Sequence, residues 1–283
     1  MRLRRFHIGL VGLVGVAICV SYFVGAVLGP MILGSAANRI SGGPAFLQPS
    51  MHNLLGTDEL GRSELVRVIV ASRIAVVAAF ESVGIAFALG TLLGVAAGYV
   101  GGVVDELFSR LFDLVFSFPV YLLGILVVVV LGPGLNHASW AIGLAFAPQF
   151  GRIARSSTRE VRTRAYVEAA RLSGRRSTWI LIVHVLPNIA GPLSVMVGLT
   201  LSNAEGAYAV LSYLGFGVAP PTADYGSMLA SGQGYLTTDP WLVLLPSAAL
   251  VVLIIGYVFV GDFLRESFDP YGKVSARGVG VAG

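Results

Sequence analysis

The sequence predicts an all-α, polytopic membrane protein with six transmembrane helices, and three observations carry that expectation. The 283 residues are 55% hydrophobic and only 12% charged, with a mean hydropathy of +0.81, which is more apolar surface than one water-soluble core of this length buries. The apolar residues are gathered into uncharged runs close to the roughly 20 residues that a helix needs to cross a bilayer's hydrocarbon. The basic residues are segregated: six crossings leave fifteen of them on one side and four on the other. The positive-inside rule puts the richer side, with both termini, in the cytoplasm.

The runs follow in chain order. After an N-terminus of residues 1–7 carrying Arg2, Arg4 and Arg5, residues 8–28 form the first crossing. Gly34-Ser35-Ala36 has the small side chains of a cleavage site, but the run exceeds the roughly 7–15 residues of a signal peptide's apolar core, so a retained anchor is expected. Residues 29–73 make an outer loop, with Gly42, Gly43, Pro44 and Pro49 early and an amphipathic stretch from Glu59 to Arg73 late. The second crossing, residues 74–98, is interrupted only by Glu81, placed near the outer interface where Arg73 or water satisfies it. Gly90, Gly94, Gly98 and Gly102 recur every four residues, a stripe that lets another backbone approach closely, and Gly25 and Gly29 offer the same in the first crossing.

Leu114 to Leu131 is the third run, and Ala138 to Gly151 is a shorter fourth. The fourth crosses only if Arg152 and Arg155 snorkel to the interface. Leu186 to Ala204 and Trp241 to Gly261 complete the set, so residues 74–262 hold five helices, with an outer loop at 212–239 and a cytoplasmic tail at 263–283. Pro119, Pro148, Pro192 and Pro246 fall inside runs, as membrane helices tolerate.

Several chemistries are set aside. A single cysteine, Cys19, excludes an intrachain disulfide and any CxxC site. His7, His52, His137 and His184 show no paired ligand spacing, so no metal site is expected. Lys273 lacks the glycines and the hydroxyl residue of a phosphate-binding loop, and Gly278, Gly280 and Gly283 match a dinucleotide fingerprint with no strand before them. A membrane-embedded enzyme would cluster His, Asp or Ser within its spans. A self-contained secondary transporter would show inverted repeats and interrupted helices in matching halves.

The informative stretch is cytoplasmic. Arg152 to Arg176 contains eight arginines. At helical spacing Val161, Ala165, Ala169 and Leu172 share one face, while Glu160, Arg164 and Glu168 stand four apart on another. Gly174 is placed to end this helix in a left-handed cap, Ser177 to cap a second helix, and Pro187 to break that helix where the next span begins. The expected product is a helix-turn-helix elbow over residues 157–186. Adsorption to anionic lipid explains the arginines. It does not call for Ala169-Ala170, a glycine four residues on and Leu186-Pro187 twelve after that, whereas small residues at an elbow's tip suit insertion into another protein's groove.

Glu168-Ala169-Ala170, Gly174 and Leu186-Pro187 resemble the EAA signature of the membrane subunits of ABC importers that depend on a substrate-binding protein. Leu55 through Arg62, Asp113 through Pro119, His184 through Asn188, Leu211 through Gly217 with Pro220-Pro221-Thr222, and Gly261-Asp262 through Asp269-Pro270 resemble the second permease, or C subunit, of dipeptide and oligopeptide importers. The resemblance implies the ABC type I importer transmembrane-domain fold and a non-catalytic subunit of a bacterial inner membrane that forms half of a peptide path. It also implies as partners a second homologous permease, two ATP-binding subunits that hold ATP and Mg, an extracytoplasmic peptide-binding protein and the lipid bilayer, with no cofactor bound directly and no nucleic acid. Cargo such as nickel or haem belongs to the same branch. By that resemblance the elbow is a coupling helix whose contacts to the ATPase are Glu168, Ala169, Ala170, Arg171, Gly174, Leu186, Pro187 and Asn188, with Glu168 pairing or capping at the ATPase surface.

Ionisable residues inside a span default to functional candidates. Glu205 lies toward the outer end of the fifth span beside Ser202 and Asn203, with Tyr208 one turn on. The four either line a polar pathway that meets a peptide's amino group or backbone, or bond across to a neighbouring helix. Relatives often place an acid four residues before the serine of Ser212-Tyr213-Leu214-Gly215, where this chain has Tyr208.

Overall fold

The computed structural model describes residues 2–39, 44–51 and 54–268. His52, the Gly42-Gly43 pair, Asp269-Pro270 and the tail glycines lie outside them. The described residues form ten α-helices joined by turns, with one isolated bridge between Thr57 and Ser63. α1 spans Arg2–Ala37 and α2 spans Glu64–Val100, so both outrun their uncharged cores. The segment from Glu64 to Arg73, expected in the outer loop, is instead the start of α2. At 1.5 Å per residue α2 is about 55 Å long, longer than the roughly 30 Å of hydrocarbon that a perpendicular crossing requires.

The third run departs most from expectation. Leu114 to Leu131 is not one rod: α3 (Gly102–Phe116) and α4 (Val120–Leu131) meet at 91°. Pro119 has no N–H to continue α3 and disfavours helical geometry at Phe118, so the helix stops and restarts in a new direction. α5 (Leu135–Arg162), α8 (Leu186–Tyr213) and α10 (Trp241–Phe268) run through Pro148, Pro192 and Pro246 without ending. Between them lie α6 (Ala165–Leu172), α7 (Ser177–Ile180) and α9 (Tyr225–Gly232).

Among the described residues four helical stretches are long and apolar enough to cross a membrane: α1 from Leu10, α2, the continuous stretch Ser177–Tyr213, and α10. A fifth is added if α3 and α4 count as one broken span. α5 is not among them: its uncharged part is short and carries Asn136, His137, Ser139 and Gln149, and Arg152, Arg155, Arg159 and Arg162 occupy its last turns. Its surroundings explain why it tolerates them: Ile142, Phe146, Phe150 and Ala154 are buried in protein, and a helix covered by protein need not be as apolar as one covered by lipid.

α2 and α5 make the most extensive helix pair, and the glycine stripe is the reason. A Cβ added at Gly90 would collide with Ala147 O and one at Gly94 with Gly151 O, and at Gly98 it would stand 2.5 Å from Arg155 O. Gly143 of α5 returns the contact, 2.8 Å from Ser82 O. Gly102 does not belong to the stripe: it opens α3 at φ +57° with open space around its Cβ position. Gly25 and Gly29 do face a neighbour, with Ser72 Oγ and Ile69 Cγ2 of α2 each 3.1 Å from the Cβ position.

At the N-terminal end of α2 a buried ionic knot fastens the preceding loop to the bundle. Asp58 Oδ1 accepts from Leu60 N at 2.9 Å and Arg62 N at 2.8 Å, while Oδ2 accepts from Arg62 Nε at 2.6 Å and lies 3.6 Å from Arg67 Nε. Arg67 Nη1 reaches Ala37 O at the end of α1 and Pro221 O of the loop between α8 and α9. All three side chains are at most 8% exposed, so losing the anion leaves buried Arg67 without its ion-pair partner and Arg62 with the longer contact to Glu59 at 3.4 Å. Asp58→Ala is expected to cost about 3–5 kcal/mol, read as a lower thermal midpoint of the detergent-solubilised protein. An unchanged midpoint would show that the knot contributes nothing.

Candidate functional site

The elbow emerges directly from α5. That helix ends at Thr163, whose Oγ1 donates to Glu160 O at 2.9 Å, a local bond that competes with further helix. Two residues later α6 begins, with Arg164 extended at its N-cap. The expected face of Val161, Ala165, Ala169 and Leu172 is therefore not continuous. Val161 stays on α5, while on α6 the fully buried residue is Val167 and Leu172 is 85% exposed. Glu160 does receive Arg164, at 2.5 Å.

α6 closes as a Schellman motif: Gly174 N donates to Arg171 O at 3.0 Å and Arg175 N to Ala170 O at 3.2 Å, with Gly174 at φ +75°. Among the sequence candidates, Glu168, Ala169, Arg171 and Gly174 are exposed, whereas Ala170 is half-buried and packs on the chain's own core. Ser177 is the first residue of α7, not its cap; Arg176 holds that position. Nor does Pro187 break the chain. α7 continues through a π-turn at Leu181–Val185, where Leu186 N donates to Leu181 O, into α8, and the widened turn makes room for a proline ring without a helix end. Leu186, Pro187 and Asn188 are exposed; Leu186 lines an apolar groove with Phe87, Leu92 and Leu181, and Asn188 Nδ2 donates to His184 O at 2.7 Å.

Two braces that sequence reasoning missed hold the elbow. His184 sits between aromatic rings, 5.5 Å from Tyr166 of α6 and 5.1 Å from Trp179 of α7 between centroids, and Arg175 lies 4.7 Å over the Trp179 ring. The arginines at the end of α5 are engaged with the chain itself. Arg152 pairs with Asp113 at 2.9 Å and Arg162 Nη1 donates to Tyr99 O at 2.7 Å, while Arg155 and Arg159 both close on Asp105. These four arginines thus tie the end of α5 to α2 and α3, and Arg171 of α6 lies 5.6 Å over the Tyr99 ring of α2. Asp105 had no sequence signal of its own, since its partners lie about fifty residues away.

The second candidate set divides. Glu205 and Tyr208 are each 1% exposed within the chain's own core, Glu205 near Tyr22, Tyr225 and Tyr257. Ser202 is half-buried and donates to Leu199 O at 2.8 Å, and Asn203 is exposed on another face. Just above, Ser212 hydroxyl donates to Asp224, which also accepts from Ser227 N at the start of α9. Burial pushes the Asp224 carboxyl above its ordinary value. Glu81 accepts from Trp140 Nε1 of α5 at 2.8 Å, a partner other than the Arg73 or water expected for it.

A helical bundle with glycine-mediated contacts and an elbow slung from one end is the transmembrane-domain fold of an ABC importer. It matches a chain of the inward-facing MetNI methionine ABC transporter at a TM-score of 0.59 and 20% identity, covering 72% of this chain and 96% of that one. The model of the family described as binding-protein-dependent transport system inner membrane component matches residues 90–271, and the chain belongs to that family. The dipeptide transport system permease protein DppC of Alkalihalophilus pseudofirmus is 33% identical, over 95% of this chain and 88% of the relative. The di/tripeptide transport system permease protein DppC of Pseudomonas aeruginosa is 38% identical, over 79% and 74%.

Proposed function

We propose that the chain is the permease subunit of an ATP-driven, binding-protein-dependent importer of dipeptides or oligopeptides in a bacterial inner membrane. It crosses six times with both termini in the cytoplasm. It pairs with a second, homologous permease to enclose the path, receives peptide from an extracytoplasmic binding protein, and couples to two ATP-binding subunits that hold ATP and Mg. The chain itself is non-catalytic. The names of its relatives support peptide cargo, and the basic residues at the α5–α6 end support the orientation.

One observation carries the coupling role: α6 is stiffened by a Schellman cap and an aromatic brace, yet Glu168, Ala169 and Leu172 remain exposed. A lever must resist bending and must present a surface to what pushes it. ATPase closure shifts the permease between states only by the difference in its affinity for them, so a floppy connection would dissipate the shift. The test is a photo-crosslinker at Ala169 in the native membrane. Adducts with an ATP-binding polypeptide, and co-purification of that polypeptide with a second permease, are expected. Adducts with lipid alone, or peptide uptake that persists in a host lacking the ATPases, would overturn the reading.

A further inference from the structure

α3 is a strut with a joint at each end. At its start Gly101 and Gly102, at φ +76° and +57°, link it to α2 through two consecutive glycines of positive φ, and at its far end it turns 91° into α4. Between the joints its ionic attachments run to α5. Asp105 in the first turn accepts from Arg155 Nη2 at 2.9 Å, and Arg155 Nε and Arg159 Nη2 complete a fork around the carboxylate; Asp113 takes Arg152. The Asp105 side chain is 8% exposed against 28% and 50% for Arg155 and Arg159, so the anion is inside and the cations clasp it. Arg162 Nη1, bonded to Tyr99 O, closes the same corner beside Gly101. These arginines occupy the last turns of α5, immediately before the elbow.

We propose that Asp105 is the positioning residue through which motion of the elbow reaches the α3–α4 corner. Pushing α6 displaces the end of α5; the bidentate fork, rigid where a single contact would swivel, obliges α3 to follow; the glycine joint absorbs the rotation; and α4, with Gly124 packed on Leu211 of α8, re-seats against the bundle. The inference rests on the coupling role given to the elbow.

The experiment uses the complete importer in vesicles, with peptide uptake and ATP hydrolysis measured together and Ala169→Trp as the elbow reference. Asp105→Asn keeps the shape and removes the charge. It is expected to lower peptide moved per ATP by at least about fivefold, the lower end of a site-to-site coupling, with the KM for peptide unchanged. The exchange set Asp105→Arg, Arg155→Asp and Arg159→Gln, the last removing the cation that would otherwise face the new arginine, is expected to recover a good part of the loss, which a merely structural defect would not allow. If Asp105→Asn fails to assemble, Arg159→Gln, which leaves the Arg155 fork, takes its place with a smaller expected fall. A wild-type ratio in the Asp105 or Arg159 variant, while Ala169→Trp lowers it, overturns the clamp and leaves the elbow reading standing. A wild-type ratio in all variants overturns both.

Discussion

Gly94→Leu is expected to abolish accumulation of the folded protein, whereas Gly84→Leu, nearly three turns earlier on the same helix, is expected to leave it unchanged. The two substitutions add the same side chain to α2 and change its hydropathy equally, so membrane insertion does not distinguish them. What differs is the neighbour. A Cβ at Gly94 collides with Gly151 O and stands 2.9 Å from Ala154 Cβ, while nothing lies within 4 Å at Gly84. A flexible side chain would yield; a helix carbonyl and its backbone do not. α2 and α5 must therefore separate, and Phe150, buried in that interface and edge-on to Phe87 at 5.7 Å, loses its packing. Overpacking of an adaptable site costs about 1–3 kcal/mol; a backbone collision along the principal helix pair costs more, against a total stability of about 5–15 kcal/mol. In a bilayer, close packing is the main force holding helices together. The measurement is the yield of monodisperse protein after extraction in mild detergent. Equal yields from the two variants would show that the stripe is incidental.

What could be read in the sequence, and what could not, follows from how locally each feature is determined. Helical crossings are written in runs of one chain segment, so the four long apolar stretches are legible among the six runs, although each helix extends past its uncharged core because a helix does not stop where charge begins. Gly174 was legible because a left-handed cap depends on a few consecutive residues. The stripe was legible from its spacing of four, except at Gly102, where the pattern continues into a residue that is no longer on α2. The bend at Pro119 was underrated because proline inside a membrane helix usually costs little; here Ser117 and Pro119 lie either side of a real stop. Pro187 erred the opposite way, absorbed by the π-turn. Asp105, the His184 brace and the choice of Val167 over Ala169 as the buried residue all depend on segments distant in sequence. Periodicity along one helix cannot say which of two small faces meets the core when both are only moderately apolar. The same limit applies to Glu205 and Asn203, two residues apart, one fully inside and the other exposed.

Ala169→Trp is expected to leave the protein folded and assembled while peptide uptake falls by about tenfold or more, equivalent to roughly 1.4 kcal/mol of lost coupling. ATP hydrolysis continues. Ala169 is exposed on the rigid elbow, so an indole there strains nothing within this chain and stands where the ATPase must seat. Its neighbour supplies the contrast. Ala170 is half-buried against the core, so Ala170→Trp is expected to dislodge α6 itself, lowering thermal stability along with transport. Gly174→Val isolates stiffness from shape: no atom lies within 4 Å of its Cβ position, but at φ +75° a β-branched residue is strained, by about 1–2 kcal/mol, and the cap loosens with the docking face intact. If coupling needs only contact, Gly174→Val transports normally and Ala169→Trp does not; if it needs a stiff lever, both lose uptake per ATP. Ala169→Trp with wild-type uptake would mean that no partner seats on α6, and the elbow would then be a surface helix without a mechanical role.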